Sequence, residues 1–217
     1  MVGETKAILY GFWLSSCSWR VRAALHLKRV PYVERNVDIV KERSQLTQEF
    51  EAINPTQKVP ALSIDGTTIV ESMAIIQYLE DTRPIPALTP TTPLLKARMR
   101  EVCEVIVSGI QPLQNVGLKS HFGNETEYTR FTKYWTERGL ITLEKMLNKT
   151  SCDKYCVGNQ FTMADLCLVP QLFNAVTRHE LALNKYPTLS KLYESLLQEE
   201  CFVCTHPNEV KRQKLSQ

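Results

Sequence analysis

No run of about 18 consecutive apolar residues occurs in the 217-residue chain, so no membrane-spanning helix is expected. The opening MVGETK has no apolar signal-peptide core, and the expectation is an intracellular protein. Excess charge of either sign is missing as well. Twenty-six Lys+Arg against 23 Asp+Glu leave a formal charge of +3, which argues against nucleic acid as a partner and stays compatible with small acidic substrates. Cysteine is present without a framework: seven residues, at 17, 103, 152, 156, 167, 201 and 204. An odd number at irregular spacing makes thiols the default. Cys201-Phe-Val-Cys204 could be a redox pair or half a zinc site. No second CxxC accompanies it, and His26, His121, His179 and His206 are scattered. A structural role is the better reading of that pair, and no metal is expected. Internal repeats are absent.

Apolar residues make up 43% of the chain and charged ones 23%, ordinary values for a globular protein of one large or two modest domains. The first eighty residues alternate strand and helix. Ala7–Phe12 reads as a buried strand, and Ser18–Lys28 as a helix with Val21, Ala24, Leu25 and Lys28 on one face. Tyr32–Val37 is a second strand. Leu46, Phe50 and Ile53 mark a short helix stopped by Asn54-Pro55. Asp65-Gly66 between Ala61–Ile64 and Thr67–Val70 is a two-residue hairpin signal, because this turn needs positive φ at both positions. Ser72 opens a helix through Met73, Ile76 and Leu79. The order β-α-β-α-β-β-α predicts a small mixed sheet covered by helices.

RPIPALTPTTP, residues 83–93, holds four of the chain's eleven prolines and reads as a stiff connection between domains. Everything beyond it has helical patterning. Met99, Val102, Cys103, Ile106 and Ile110 share a face, with a bend expected at Gly109 and Pro112. In the next helix Phe131, Tyr134, Trp135 and Met146 are the expected apolar face, opposite Lys133, Glu137, Glu144 and Asn148. Thr162 and Asp165 form a capping box at the start of another helix. The polar stretch from Val210 onward is expected to fray. The predicted organisation is residues 1–83, a linker over 84–93, and an all-helical domain over 94–217.

The chemistry concentrates at helix starts on the sheet. SSCSWRVRAAL, residues 15–25, sets Ser15, Ser16 and Cys17 where the first strand meets the first helix. Ser72 begins another helix, with Glu71 just before it, and such N-termini favour anions. A Val59-Pro60 bond in cis would leave the Val59 backbone to pair with an extended ligand. Together these groups suit a short zwitterionic peptide: its backbone at Val59, carboxylate at Ser72, ammonium near Glu71 and thiol near Ser15. Moving a thiol pKa from about 8.5 to about 6.5 takes roughly 2.7 kcal/mol, and one hydroxyl donating to an anion supplies about 1.5–3 kcal/mol.

SSCSWRVRAAL resembles the signature of the zeta-class glutathione transferases, the maleylacetoacetate isomerases. NPTQKVPAL, ESMAIIQYLE, GIQPLQN and QFTMADLCLVPQ resemble further family segments in the family order, across nearly the whole chain. The resemblance implies an α/β thioredoxin-like N-terminal domain, an all-α C-terminal domain, a homodimer, glutathione as cosubstrate, and a cytoplasmic location with a mitochondrial share left open. It also implies glutathione-dependent isomerisation of maleylacetoacetate to fumarylacetoacetate in phenylalanine and tyrosine breakdown, with turnover of small α-halo acids such as dichloroacetate.

By resemblance Ser15 holds and activates the thiolate, and Cys17 beside it tunes activity. Ser16, Ser18, Trp19, Arg20, Gln45, Val59, Glu71 and Ser72 resemble glutathione contacts, Glu71 standing where some family members carry Gln. Gln111, Asn115, Val116 and Gly117 resemble contacts from the helical domain, and Arg178 the partner of a substrate carboxylate. Two other functions remain open at this level: a glutathione-dependent thiol–disulfide oxidoreductase centred on Cys17, and a binding module of the same fold without catalysis.

Overall fold

The structure, a computed structural model, describes residues 6–151 and 154–215. Cys152 and the last two residues of the polar C-terminal stretch lie outside the described residues. The chain divides into two units, one made of the residues up to Pro86 together with those from Glu200 onward, the other of Ala87–Glu199.

The first unit is built on a four-stranded sheet of order β2-β1-β3-β4, with β1 at Ala7–Gly11, β2 at Tyr32–Asn36, β3 at Ala61–Ile64 and β4 at Thr67–Val70. β2 runs parallel to β1, whereas β3 is antiparallel to both β1 and β4. The Asp65-Gly66 turn has φ of 51° and 77°, the double positive φ that the hairpin requires. Val59-Pro60, just before β3, is cis. Helices α1 (Ser16–Leu27), α2 (Gln48–Ile53) and α3 (Ser72–Thr82) complete the expected β-α-β-α-β-β-α order. The fourth residue of the predicted α1 face, Lys28, is a buried cation. Its Nζ donates to Glu80 Oε2 and to the Pro86 carbonyl, both at 2.6 Å, so its charge is met inside the unit.

The expected boundary at 94–217 differs from this division at its far end. Two further helices, α8 (Glu200–Cys204) and α9 (Pro207–Leu215), belong to the sheet-bearing unit. The reason is Trp19 of α1. It meets the Phe202 ring edge-on at 5.8 Å, and its indole N–H donates to Thr205 Oγ1 at 3.0 Å. A buried Trp needs both an apolar surround and an acceptor, and here Phe202 of α8 and Thr205 just after it supply them.

The helical unit contains α4 (Pro93–Glu104), α5 (Glu125–Thr150), α6 (Met163–His179) and α7 (Pro187–Leu196). The last part of the proline-rich stretch is packed within this unit: Leu88 is buried and its carbonyl accepts from Met163 N at 3.0 Å. Met99, Val102, Cys103, Ile106 and Ile110 are all buried, as one face. The expected bend takes the form of a wider π turn over Val105–Ile110, followed by tight 3-10 turns over Gln111–Gln114 and Val116–His121. Gly139 on α5 permits close approach there, since a Cβ would lie 2.3 Å from Ile110 Cγ1.

The buried face of α5 corrects the sequence reading. It is Tyr128, Thr132, Thr136, Leu140, Leu143 and Leu147, while Tyr134 is exposed. Threonine is tolerated inside because its hydroxyl bonds back along the helix, Thr136 Oγ1 donating to the Thr132 carbonyl at 2.8 Å. The capping box at α6 is present, with Thr162 and Asp165 exchanging side-chain and backbone bonds. Asp165 is buried, and its Oδ1 also accepts from Cys156 N at 2.8 Å. Burial pushes its carboxyl pKa upward, against the lowering effect of those donors.

Candidate active site

In the sheet-bearing unit the polypeptide leaves β1, turns tightly (Ser15 N donates to the Phe12 carbonyl at 3.0 Å) and enters α1. Ser15 is the N-cap of α1, with extended φ and ψ of −69° and 121°. Its Oγ accepts from Ser18 N at 3.2 Å, which uses an oxygen lone pair and leaves the O–H to donate elsewhere. The side chain is half-buried, as is that of Cys17 in the first turn, whereas Ser16 is buried.

The loop that displays Ser15 is held from beneath. Arg22, fully buried, donates to the carbonyls of Phe12 at 3.4 Å and Trp13 at 2.8 Å, and pairs with Glu34 Oε1 at 3.2 Å. Burial lowers the guanidinium pKa despite the neighbouring Glu34. Ser18 and Trp19 lie inside the unit. Ser18 is fully buried, with its Oγ accepting from Phe12 N at 3.3 Å, so it positions the loop rather than facing solvent.

Arg20 ties α1 to the start of α3. It is buried, and its Nη1 donates to Ser72 Oγ at 3.2 Å. Ser72 is the first residue of α3, and among the described residues no side chain caps the start of that helix. The first-turn amides, the helix dipole and a buried guanidinium therefore converge on one place, which favours a carboxylate. Glu71, exposed and with φ of 67°, sits at the same start in a conformation uncommon for a residue with a Cβ. The observed strain marks a position where the backbone is aimed.

The segment before β3 is shaped by Asn54, which sequence reasoning treated only as a helix stop. Buried Asn54 donates from Nδ2 to the Lys58 carbonyl at 2.6 Å, and its Oδ1 accepts from Thr56 N at 3.0 Å. No hydrogen bond among the described residues takes up the half-buried Val59 backbone. Gln45, in a tight turn over Ser44–Leu46, has an Oε1 screened from solvent with no donor among the described residues. The signal that could have found Asn54 is its Asx-turn position ahead of a Val-Pro pair.

In the helical unit the residues expected at the ligand fall into a second cluster. Asn115 caps the tight turn after it, its Oδ1 accepting from Gly117 N at 2.8 Å. Val116 and Gln111 flank it, half-buried. Arg178, near the end of α6, donates from Nη1 to the Gln114 carbonyl at 2.7 Å and from Nη2 to the Tyr128 hydroxyl. Tyr128 in turn reaches the Asn115 carbonyl at 3.2 Å. The fold thus brings Arg178 to the Asn115–Gly117 turn. Beneath lies a buried network that the sequence did not show: Gln114 Nε2 donates to Gln171 Oε1 at 2.9 Å, and Thr136 and His179 meet Gln114 Oε1 at 3.4 and 3.3 Å. Burial, then the charges of Arg178 and Lys133, lowers the His179 pKa from 6.5 to about 4.

Comparison with known proteins fits this arrangement. Residues 14–82 match the N-terminal domain of glutathione S-transferase and residues 117–201 its C-terminal domain. Maleylacetoacetate isomerase of Mus musculus is 47% identical over 203 residues, which is 93% of this chain and 93% of that protein. Among solved structures, a bacterial maleyl pyruvate isomerase described as a zeta-class glutathione S-transferase superposes with a TM-score of 0.86 at 32% identity, covering 93% of this chain and 97% of that one. Maleylacetoacetate isomerase from Methylobacterium extorquens AM1, with malonate and glutathione bound, gives 0.88 at 32% identity and the same coverage. With this identity carried along nearly its whole length, and both halves of the fold matched, the chain belongs to the zeta-class glutathione transferase family, among the maleylacetoacetate isomerases.

Proposed function

We propose that this protein is a cytoplasmic, homodimeric, glutathione-dependent isomerase that converts maleylacetoacetate to fumarylacetoacetate in phenylalanine and tyrosine breakdown, and that it also turns over small α-halo acids such as dichloroacetate. The observation that carries the reading is Ser15: a half-buried hydroxyl at the start of α1 whose oxygen accepts from Ser18 N and whose proton is left to donate.

The residues present fit glutathione. An uncapped α3 start beside the buried Arg20–Ser72 pair suits a carboxylate, and Gln45 Oε1 awaits a donor. When bound, glutathione supplies a thiolate that adds reversibly to a conjugated alkene and so permits rotation about it. Ser15 donates its hydroxyl to the sulfur and holds it ionised, an interaction of about 1.5–3 kcal/mol. Ser72 and the α3 amides hold the carboxylate of the tripeptide, Glu71 its ammonium, and the Val59 backbone its extended chain. Gln111, Asn115, Val116 and Gly117 contribute contacts from the helical unit. Arg178 meets a substrate carboxylate with the donors not committed to Gln114 and Tyr128. Ser16 and Cys17 adjoin the sulfur position. Ser18 and Trp19 act through packing, and Arg20 through Ser72.

The test is turnover of maleylacetone by the pure protein with and without glutathione. Isomerisation that requires glutathione, falls strongly in Ser15→Ala and survives substantially in Cys17→Ala is the expected result. Loss confined to Cys17→Ala, with disulfide exchange in its place, would favour an oxidoreductase. No turnover of any kind would leave only a binding module.

A further inference from the structure

One of the histidines scattered in the sequence gains a carboxylate and a thiol as neighbours in the fold. α8 carries Glu200 and Cys204 four residues apart, and residues at that spacing share a helix face. His26, in the last turn of α1, stands against that face. A ring nitrogen of His26, the Cys204 sulfur and a carboxylate oxygen of Glu200 all lie within 4.8 Å of one another. His26 Nε2 is 3.7 Å from Glu200 Oε1. No other trio of His, Cys, Asp or Glu converges in this way among the described residues.

The spacing is near what a metal needs. Tetrahedral zinc holds nitrogen, oxygen and sulfur donors at about 2.0–2.3 Å, which puts those donors about 3.3–3.8 Å apart. The two helices that carry them are already locked together through Trp19, which packs on Phe202 and donates to Thr205. The side chains therefore close only the last ångström, and the outermost, Glu200, is 84% exposed and able to swing. The place is separate from Ser15, since α1 has 12 residues and rises about 1.5 Å at each.

We propose that His26, Glu200 and Cys204 form a transition-metal site, with Zn²⁺ as the best-matched ion and a water as the fourth ligand. A thiolate with an imidazole selects such an ion over Mg²⁺ or Ca²⁺. Binding ionises the Cys204 thiol and releases its proton to solvent, with no change of oxidation state. The bound ion fastens α8 to α1 and so holds the residues after Glu199 on the sheet-bearing unit.

The test is a Co²⁺ titration of the whole reduced protein, followed by thiolate-to-cobalt charge-transfer absorption and by displacement with Zn²⁺. Wild type and Cys17→Ser should bind one equivalent with that band. Cys204→Ser should lose the band, and His26→Ala and Glu200→Gln should bind about tenfold more weakly or worse. In the unaltered protein Zn²⁺ should slow alkylation of Cys204, read by mass spectrometry, a measurement independent of whether any variant folds. A band that persists in Cys204→Ser or disappears in Cys17→Ser would overturn the proposal. So would the absence of a band together with an unchanged alkylation rate.

Discussion

In the sheet-bearing unit the Ser15 O–H at the start of α1, Gln45 Oε1 in the turn over Ser44–Leu46 and the Val59 backbone just before β3 are without partners among the described residues. The helical unit treats its polar groups differently. Gln114 alone meets Gln171, Thr136 and His179 through its side chain and Arg178 and Tyr128 through its carbonyl, and among the described residues His179 Nδ1 is the one buried side-chain nitrogen or oxygen of that unit without a partner. A buried polar group without a partner is costly, so groups left open in this way are suited to a ligand that completes them. Groups closed on one another fix the shape of the turn that carries Asn115 and Arg178.

Substitutions can break this contrast. The largest expected effect is at Gln114: Gln114→Ala strands several buried groups and should lower unfolding free energy by about 3 kcal/mol in a urea titration. Gln45→Ala removes no internal bond and should change stability by less than about 1 kcal/mol, while weakening glutathione binding in calorimetry. Equal losses from the two would erase the distinction. Next is Ser15→Ala, expected to reduce glutathione-dependent turnover by about 10–100-fold and stability only by the loss of a cap, about 1 kcal/mol. Arg178→Ala should follow, raising KM for a dicarboxylate about tenfold more than KM for a neutral electrophile. Equal changes for both would reduce Arg178 to its bonds with Gln114 and Tyr128.

The smallest effect at working pH concerns His179. Its pKa in the folded protein is depressed from 6.5 to about 4, so the neutral ring is the one the fold holds. The stability it contributes is complete above about pH 6.5 and is lost as pH falls through about 4. Chemical unfolding measured across that window should show the decline in wild type and a shallower one in His179→Gln.

Much of the fold was legible where the signal is local. Asp65-Gly66 announced its hairpin through the φ values that turn demands, Thr162 and Asp165 announced a capping box, and the Ser15–Cys17 stretch announced a polar helix start. Reading failed where the signal is long-range. Phe131, Tyr134 and Trp135 look like a core face by periodicity, yet Thr132 and Thr136 go inside, because their hydroxyls are satisfied along the helix and at Gln114. Arg20 and Arg22 could be structural or surface charges by sequence, and only the fold shows the structural role, with Ser72, Glu34 and two loop carbonyls converging on them. Nothing near residue 200 in the sequence discloses that Trp19 is its neighbour.

That last pairing bears on how the chain acquires its structure during synthesis. The acceptor for the Trp19 indole lies 186 residues downstream, so the first unit to emerge from the ribosome is the last to be completed. Until α8 arrives, a large aromatic surface on α1 lacks its lid, and the helical unit has every opportunity to fold first. Cutting the chain after Glu199 should therefore injure the sheet-bearing unit, although every residue removed lies at the opposite end of the sequence.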